Sequence, residues 1–128
     1  MAKSIISSPK IATVPGAPYS PGTKAGNLVF VAGMLALDAD GQIVGRGDIT
    51  AQTRQVLENV KAVVEAGGGR MSDITKTTVY ITDMANFAAM NEIYKTYFPS
   101  DPPARATVKA DLVNKDFLVE IDAIAVVG

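Results

Sequence analysis

The chain has 128 residues, of which 48% are apolar and 20% are charged, a composition typical of one globular domain rather than a disordered segment. Its 12 basic and 13 acidic residues give a net charge of −1, which offers no electrostatic basis for binding nucleic acid. It contains no cysteine and no histidine, which excludes disulfides, thiolate nucleophiles, histidine-based catalysis and cysteine or histidine metal sites. Any catalysis must therefore use arginine, lysine, carboxylate, tyrosine, hydroxyl or backbone groups.

The start of the chain gives no indication of a targeting segment. The first ten residues lack the apolar stretch of a signal peptide, and no apolar run approaches the length of a membrane helix. We therefore expect a soluble, cytoplasmic protein with no membrane association, formed by a single domain over residues 1–128.

The first third of the chain predicts a loop followed by strands. Residues 9–24 are rich in proline, glycine and serine, which predicts a loop, with a short strand at 10–14. The continuous apolar run 28–37 predicts a strand that is covered on both faces. Gly33 inside this run marks a bulge or a close backbone approach, and a turn then leads to a short strand near 42–44.

The first helix is predicted between Thr50 as its N-cap and Gly67 as its stop. The prediction depends on apolar residues that recur at helical spacing on one stripe. These are Val56, Leu57, Val60, Val63 and Val64. Charged residues occupy the positions between them, so this helix should pack one face against a core.

A strand and a second helix follow. The run 74–82 is rich in β-branched residues, which favour a strand. Asp83 or Asn86 should then cap a helix that continues through Phe98. Aromatic and apolar residues recur along it at helical spacing, which is typical of a core stripe, and the polar Asn91 lies beside them.

Arg105 is the most informative residue of the chain. It lies in the run 102–110, where polar and small apolar residues alternate as in a half-buried strand, and 117–127 alternates in the same way. If the two runs form a hairpin, Arg105 lies roughly opposite Glu120 or Asp122. Buried charge is costly unless it is paired or used, so the alternatives are a salt bridge within the sheet and a functional site.

The order of elements predicts an α+β fold in which two helices pack on one face of a mixed β-sheet. The opposite face of the sheet then has no helix to cover it. A large apolar face of this kind is buried against other subunits, so the element count predicts an oligomer.

Several short motifs, in this order and spacing, resemble the Rid (YjgF) family of reactive-intermediate deaminases over nearly the whole chain. They are Pro18-Tyr-Ser20, Phe30-Val-Ala-Gly33, residues 52–60, residues 74–80, Asn91-Glu-Ile-Tyr94, Pro103-Ala-Arg-Ala106 and residues 119–125. The resemblance implies a chorismate-mutase-like α+β fold. It also implies a homotrimer with sites at subunit interfaces, in agreement with the uncovered face.

The resemblance further implies the hydrolysis of enamines and imines such as 2-aminoacrylate, without a metal or cofactor. Arg105 matches the arginine that holds the substrate carboxylate, a task suited to its planar fork, and Glu120 matches the carboxylate associated with the attacking water. The other matched substrate-binding positions are Tyr19, Ala32, Gly33, Asn91 and Thr107. An imine carbon is already electrophilic, so a held substrate and a positioned water suffice for this reaction.

Ala32 departs from the family pattern, because serine is usual at this position. Met34 likewise stands where glutamine is common. The lost hydroxyl leaves open a different or larger enamine, as in the 2-aminomuconate deaminases of the same family. Two other classes of function also remain open: a regulator that binds a small carboxylate without converting it, and a nuclease or RNA-binding protein. The lack of histidine and of basic excess disfavours the last.

Overall fold

The computed structural model describes residues 2–128. Within them, six strands and two α-helices follow in the order β1 (Ser4–Ile6), β2 (Gly22–Ala25), β3 (Leu28–Met34), α1 (Ile49–Ala66), β4 (Ile74–Ile81), α2 (Phe87–Tyr97), β5 (Ala104–Lys109) and β6 (Val119–Val126). Short 3-10 turns precede β4 at Met71–Asp73 and α2 at Met84–Asn86. Neither helix of this described part is long and apolar enough to cross a membrane.

The strands form one mixed sheet in the order β1-β2-β3-β6-β4-β5. Neighbouring strands are antiparallel except β4 and β5, which are parallel and are joined through α2. Both helices lie on the same face, since α1 packs on β3 and β6 and against α2. The predicted α+β architecture is therefore confirmed.

The hairpin considered for the last two strands does not form. β6 lies between β3 and β4, whereas β5 pairs only with the outer side of β4. The burial of the two strands explains the difference. Alternate residues of β6 are buried apolar side chains, which suits a central strand, whereas no residue of β5 is fully buried. A strand of that kind is typical of a sheet edge.

The core lies between the sheet and the helices. The predicted apolar stripe of α1 is confirmed, because all five of its members are fully buried. The same helix also buries three polar residues, Gln52, Thr53 and Asn59. The Gln52 amide donates to the carbonyls of Gly45 and Asp116 and accepts from the Leu118 N–H. Gln52 thereby ties two loops to the helix, which satisfies a polar group that would be costly to bury alone.

The helix boundaries differ slightly from the predictions. The N-cap of α1 is Asp48, whose carboxylate accepts from the Ala51 N–H, so the prediction of Thr50 as N-cap was wrong by two residues. The predicted stop at Gly67 is confirmed. Asp83 caps the 3-10 turn and Asn86 occupies the N-cap position of α2, so each candidate has a role at this entry.

The strand predictions near the amino terminus were less accurate. Residues 10–14 form no strand; the short edge strand is Ser4–Ile6, and β2 begins inside the predicted loop. β3 ends at Met34, and the run 42–44 contributes only an isolated bridge. The predicted irregularity at Gly33 is confirmed by a register shift in the pairing of β3 with β6.

One face of the sheet is left open by the described residues. β3 was predicted to be covered on both faces, but Leu28 and Phe30 are 38% and 39% exposed there. Ile5, Val108 and Val126 are exposed as well. The strand register places these three side chains on the same face as Leu28 and Phe30, either next to them or farther across the sheet. The chain thus presents an apolar surface opposite its helices.

Gln52→Leu should lower the stability of the protein, because it removes three buried hydrogen bonds and leaves their backbone partners unpaired. The expected loss is roughly 2–4 kcal/mol, measured as the shift of the urea midpoint at fixed protein concentration. Gln55→Leu is the matched control on the same helix, since Gln55 donates one hydrogen bond, to Asn59. An equal shift in both variants would contradict this account of the two loops.

Candidate functional site

The residues predicted to form a site fall into two groups within the chain. The arginine cluster consists of Arg105 and Thr107 on β5 and Asn91 on α2. The glutamate cluster consists of Glu120 on β6 and Gly33, which approaches it at the bulge of β3. Ala32 precedes Gly33 in the chain, and Tyr19, on the loop before β2, lines a hollow together with Gly33. The two clusters lie on opposite faces of the sheet.

The side chain of Arg105 lies on the helix face. Arg105 is in register with Thr77 of β4, whose side chain is buried beneath α2. The Arg105 Nη1 donates to the Asn91 Oδ1 over 2.8 Å, and its Cζ lies 4.7 Å from the centre of the Tyr94 ring. The Phe87 ring lies 5.7 Å from the same atom. The guanidinium is thus held by an amide and two aromatic rings, all from α2.

A salt bridge within the sheet, the alternative reading of Arg105, is wrong. Across residues 2–128 the ion pairs are Arg46–Asp116 and Lys95–Glu92. Arg105 is in neither, because the strand order places β4 between it and Glu120 and turns the two side chains to opposite faces. A half-buried guanidinium without a carboxylate leaves donors for an anionic ligand.

Thr107 lies two residues after Arg105, so its side chain is on the same face of β5. Its hydroxyl is buried and makes no hydrogen bond within the described residues. Buried hydroxyls are normally paired, so Thr107 carries unused hydrogen-bonding capacity next to the guanidinium.

Glu120 lies on the open face, in register with Tyr80 of β4. The bulge of β3 approaches it closely: a methyl group at Gly33 would overlap the Glu120 carboxylate. The absence of a side chain at Gly33 therefore lets the Glu120 carboxylate lie against the bulge, and a larger residue there would displace it. The neighbouring Ala32 N–H donates to the Pro21 carbonyl over 2.9 Å, which anchors the loop that carries Tyr19 beside the bulge.

A second carboxylate, that of Asp122, influences the pKa of Glu120. Asp122 follows Glu120 on the same face of β6 and accepts a 2.9 Å hydrogen bond from the Tyr80 hydroxyl. Burial and, to a smaller extent, the charge of Asp122 raise the pKa of the Glu120 carboxyl above its ordinary value. A carboxylate with a raised pKa is a better proton acceptor, a property typical of general bases.

Tyr19 and Gly33 also line a hollow beside the bulge. Its other lining residues are mostly apolar: Ile11, Ala12, Val14, Pro21, Met34, Leu35 and Leu37, with Asn59 as a polar member. The Asn59 amide already donates to the carbonyls of Leu35 and Leu37 and accepts from Gln55. The hollow therefore suits an uncharged, apolar group.

One chain does not bring Arg105 and Glu120 together. They are separated by β4, or two strand spacings of about 10 Å in all, and they face opposite sides. Sequence reasoning also missed Tyr94 and Tyr80, which contact Arg105 and Asp122. Tyr94 had been assigned to the core stripe; its spacing of three residues from Asn91 was the feature that could have revealed its position.

Comparisons with known proteins show which family and solved structures this chain resembles. Residues 10–127 match the model of the family described as Endoribonuclease L-PSP. A RutC family protein of Pyrococcus horikoshii is 50% identical over 111 residues, which cover 87% of this chain and 88% of that protein. The crystal structure of Escherichia coli TdcF with bound serine is 39% identical, with a TM-score of 0.89 and coverage of 98% and 99%. YyfA of Yersinia pestis, from the conserved Rid protein family, is 38% identical, with a TM-score of 0.91 and coverage of 98% and 100%.

Asp122→Asn should lower the pKa of Glu120, because it removes the nearby negative charge but leaves the carboxyl buried. The pKa should move toward its ordinary value without reaching it, since burial is the larger cause. The measurement is an NMR titration of the Glu120 side-chain carboxyl carbon. Tyr80→Phe is the control, since it removes the hydrogen bond to Asp122 but keeps the charge. An unchanged titration midpoint in Asp122→Asn would show that Asp122 has no influence on Glu120.

Proposed function

The chain belongs to the Rid (YjgF/RidA) family, and from this premise we propose that it is a hydrolytic deaminase of enamines and imines such as 2-aminoacrylate. The observation that carries the proposal is Arg105, a half-buried guanidinium held by α2 with no carboxylate partner among residues 2–128. A small carboxylate substrate would supply that partner. Ammonia release is the activity that tests the proposal.

The proposed reaction needs only a held substrate and a positioned water. The enamine gains a proton on carbon to become an imine, and water then adds to the C=N carbon. Glu120 would accept a proton from that water, a role favoured by its raised pKa. That proton passes to the nitrogen to give an amino alcohol. The hydroxyl proton is then transferred to the nitrogen as the C–N bond breaks, which releases ammonia and leaves a 2-keto acid. Arg105 would bind the carboxylate throughout with its two-pronged fork.

The complete site in this proposal lies between subunits of a homotrimer. Because Arg105 and Glu120 face opposite sides of one sheet, a single chain cannot place both beside one small substrate. A second copy would bring its arginine cluster to the glutamate cluster of the first. The exposed apolar residues of the open face favour such an assembly, since a surface of this kind is stable when another subunit covers it.

The hollow beside Gly33 supports a choice among substrates. Its lining is mostly apolar and the Asn59 amide is already paired, so it suits the side chain of an aliphatic imine. A second carboxylate, as in 2-aminomuconate, would meet no cation there. Ala32, at the position where serine is usual in the family, also leaves no hydroxyl beside Gly33. We therefore favour substrates with one carboxylate and a short apolar side chain.

The relatives also provide evidence on the two alternative functions, a carboxylate-binding regulator and a ribonuclease. TdcF has been crystallised with bound serine, an amino acid whose carboxylate is the group proposed for Arg105. Binding without turnover, as in a regulator, would use the same arginine cluster, and ammonia release separates it from catalysis. Ribonuclease chemistry, the description of the family model, is disfavoured because this sequence has no histidine and a net charge of −1.

Arg105→Ala should abolish the accelerated decay of 2-aminoacrylate, with a loss of about 3 kcal/mol of transition-state binding, or about a hundredfold in rate. Arg105→Lys should fail as well, because an ammonium keeps the charge but not the two-pronged contact. The measurement is keto-acid and ammonia release at equal trimer concentration. Arg54→Ala is the matched control, because Arg54 is exposed on α1. Full activity in Arg105→Ala would place the site elsewhere.

Glu120→Gln should lower kcat and leave the binding of a carboxylate product mostly intact, because it removes the proton acceptor but not the arginine cluster. Turnover and product inhibition measure the two effects separately. Glu92→Gln, the same change at an exposed position of α2, is the control. Unchanged turnover in a folded Glu120→Gln protein would remove Glu120 from the mechanism.

Imines of aliphatic 2-keto acids with three- or four-carbon side chains should be hydrolysed with a higher kcat/KM than 2-aminomuconate. The reason is that the hollow offers apolar contact and no second cation. The measurement is a panel of imines and enamines generated in situ by an oxidase or dehydratase. Leu37→Lys introduces a cation into the hollow, so it should reduce the ratio of kcat/KM for the aliphatic imines to kcat/KM for 2-aminomuconate. A preference for the dicarboxylate in the wild-type protein would contradict this assignment.

A further inference from the structure

The α2 face beneath Arg105 is built as a support for the guanidinium. Phe87, Asn91 and Tyr94 are spaced by four and three residues, so they lie on one face of the helix. All three contact Arg105: the amide accepts one hydrogen bond, and the two rings lie 5.7 Å and 4.7 Å from its Cζ. The Tyr94 ring is the nearer of the two and lies within the range of a cation–π interaction.

The Tyr94 ring is itself fixed in place. Its hydroxyl and the Thr77 hydroxyl are hydrogen-bonded over 2.7 Å, and Thr77 is completely buried. Phe98 packs on the ring with a centroid distance of 4.7 Å. Thr77 is the β4 residue in register with Arg105. The Tyr94 ring is therefore fixed by β4 through its hydroxyl and by Phe98, at the end of α2, through ring packing. A leucine would fill a purely apolar core position equally well, without a hydroxyl or a π-face.

We propose that Tyr94, held by its hydrogen bond to Thr77, is the positioning residue that orients the Arg105 guanidinium for binding the substrate carboxylate. This inference rests on the proposed function of Arg105. Arginine has many side-chain rotamers, and an unsupported guanidinium would lose more entropy when it binds a carboxylate. A ring 4.7 Å from the Cζ and an amide bonded to one Nη restrict the guanidinium before the substrate arrives, so less freedom is lost on binding.

The kinetic test compares a charged with a neutral substrate. Tyr94→Leu should raise KM for 2-aminoacrylate about tenfold with a small change in kcat, because the reacting carbon lies at the glutamate cluster. The corresponding enamine carboxamide has no carboxylate, so its KM should not change. Tyr97→Leu is the matched control: Tyr97 is on the same helix, but its hydroxyl donates to Glu58. Equal effects on both substrates would overturn the proposal and make Tyr94 a core residue.

Two subtler variants test the hydrogen bond and keep the core filled if Tyr94→Leu does not fold. Tyr94→Phe and Thr77→Val each remove one hydroxyl of the same hydrogen bond, so each should raise KM for 2-aminoacrylate about threefold. The double variant should be no worse than either single one, because both changes remove one interaction. If neither single variant changes KM, the proposal is overturned.

A final readout does not depend on any enzymatic activity. The chain has four arginines, so the side-chain Nε signals of ¹⁵N-arginine-labelled protein can be assigned individually. The Arg105 signal should be displaced by the Tyr94 ring and show restricted rotation, and both effects should disappear in Tyr94→Leu but not in Tyr97→Leu. Loss of these effects without a change in KM would overturn the inference that the support serves carboxylate binding, whereas the proposed function of Arg105 is tested separately by Arg105→Ala. Their persistence in Tyr94→Leu would overturn the inference itself.

Discussion

The insertion of β6 between β3 and β4 is the constraint on which the rest of this structure depends. β6 has alternate buried apolar residues and occupies the centre, which leaves β5 to pair with β4 alone at the edge. Arg105 on β5 is thereby turned toward α2, and Glu120 on β6 is turned toward the open face. The two groups best suited to binding and hydrolysis are therefore separated by the same packing that stabilises the fold. In the proposed trimer, a second copy would resolve this separation and would also cover the apolar open face.

Each half of the site is rigidly supported in its own way. On the helix face, Arg105 rests on α2 and faces no carboxylate of its own chain. On the open face, the missing side chain of Gly33 makes room for the Glu120 carboxylate, and Asp122 helps to keep its pKa raised. Under the proposed function, substrate binding and proton transfer would thus depend on separate elements of the fold. The apolar hollow beside Gly33 adds a third element, which would distinguish substrates by side chain rather than by carboxylate.

The sequence predicted the architecture and most elements, because α1, β4 and β6 have strong periodic patterns that tertiary contacts reinforce. It failed where pairing is not local. A hairpin of β5 and β6 was considered because the two strands are close along the chain, although the apolar pattern of β5 is weak. The hairpin does not form, so Arg105 does not lie opposite Glu120. The motif resemblance named the site residues individually but not their faces. Tyr94 was assigned to the core because a buried aromatic on a helix has the same pattern whether or not a cation lies above it.

The central claim is that Arg105 of one copy acts with Glu120 of another. Co-refolding equal amounts of Arg105→Ala and Glu120→Gln proteins, each inactive alone, tests it most directly. Random mixing in a trimer should restore an intact site at about one interface in four, and so about a quarter of wild-type ammonia release. Simply mixing the two folded proteins, without exchange of subunits, should restore none. Sedimentation should show trimers in every sample. Absence of activity in co-refolded trimers would contradict the account, because it would mean that both residues must come from one chain.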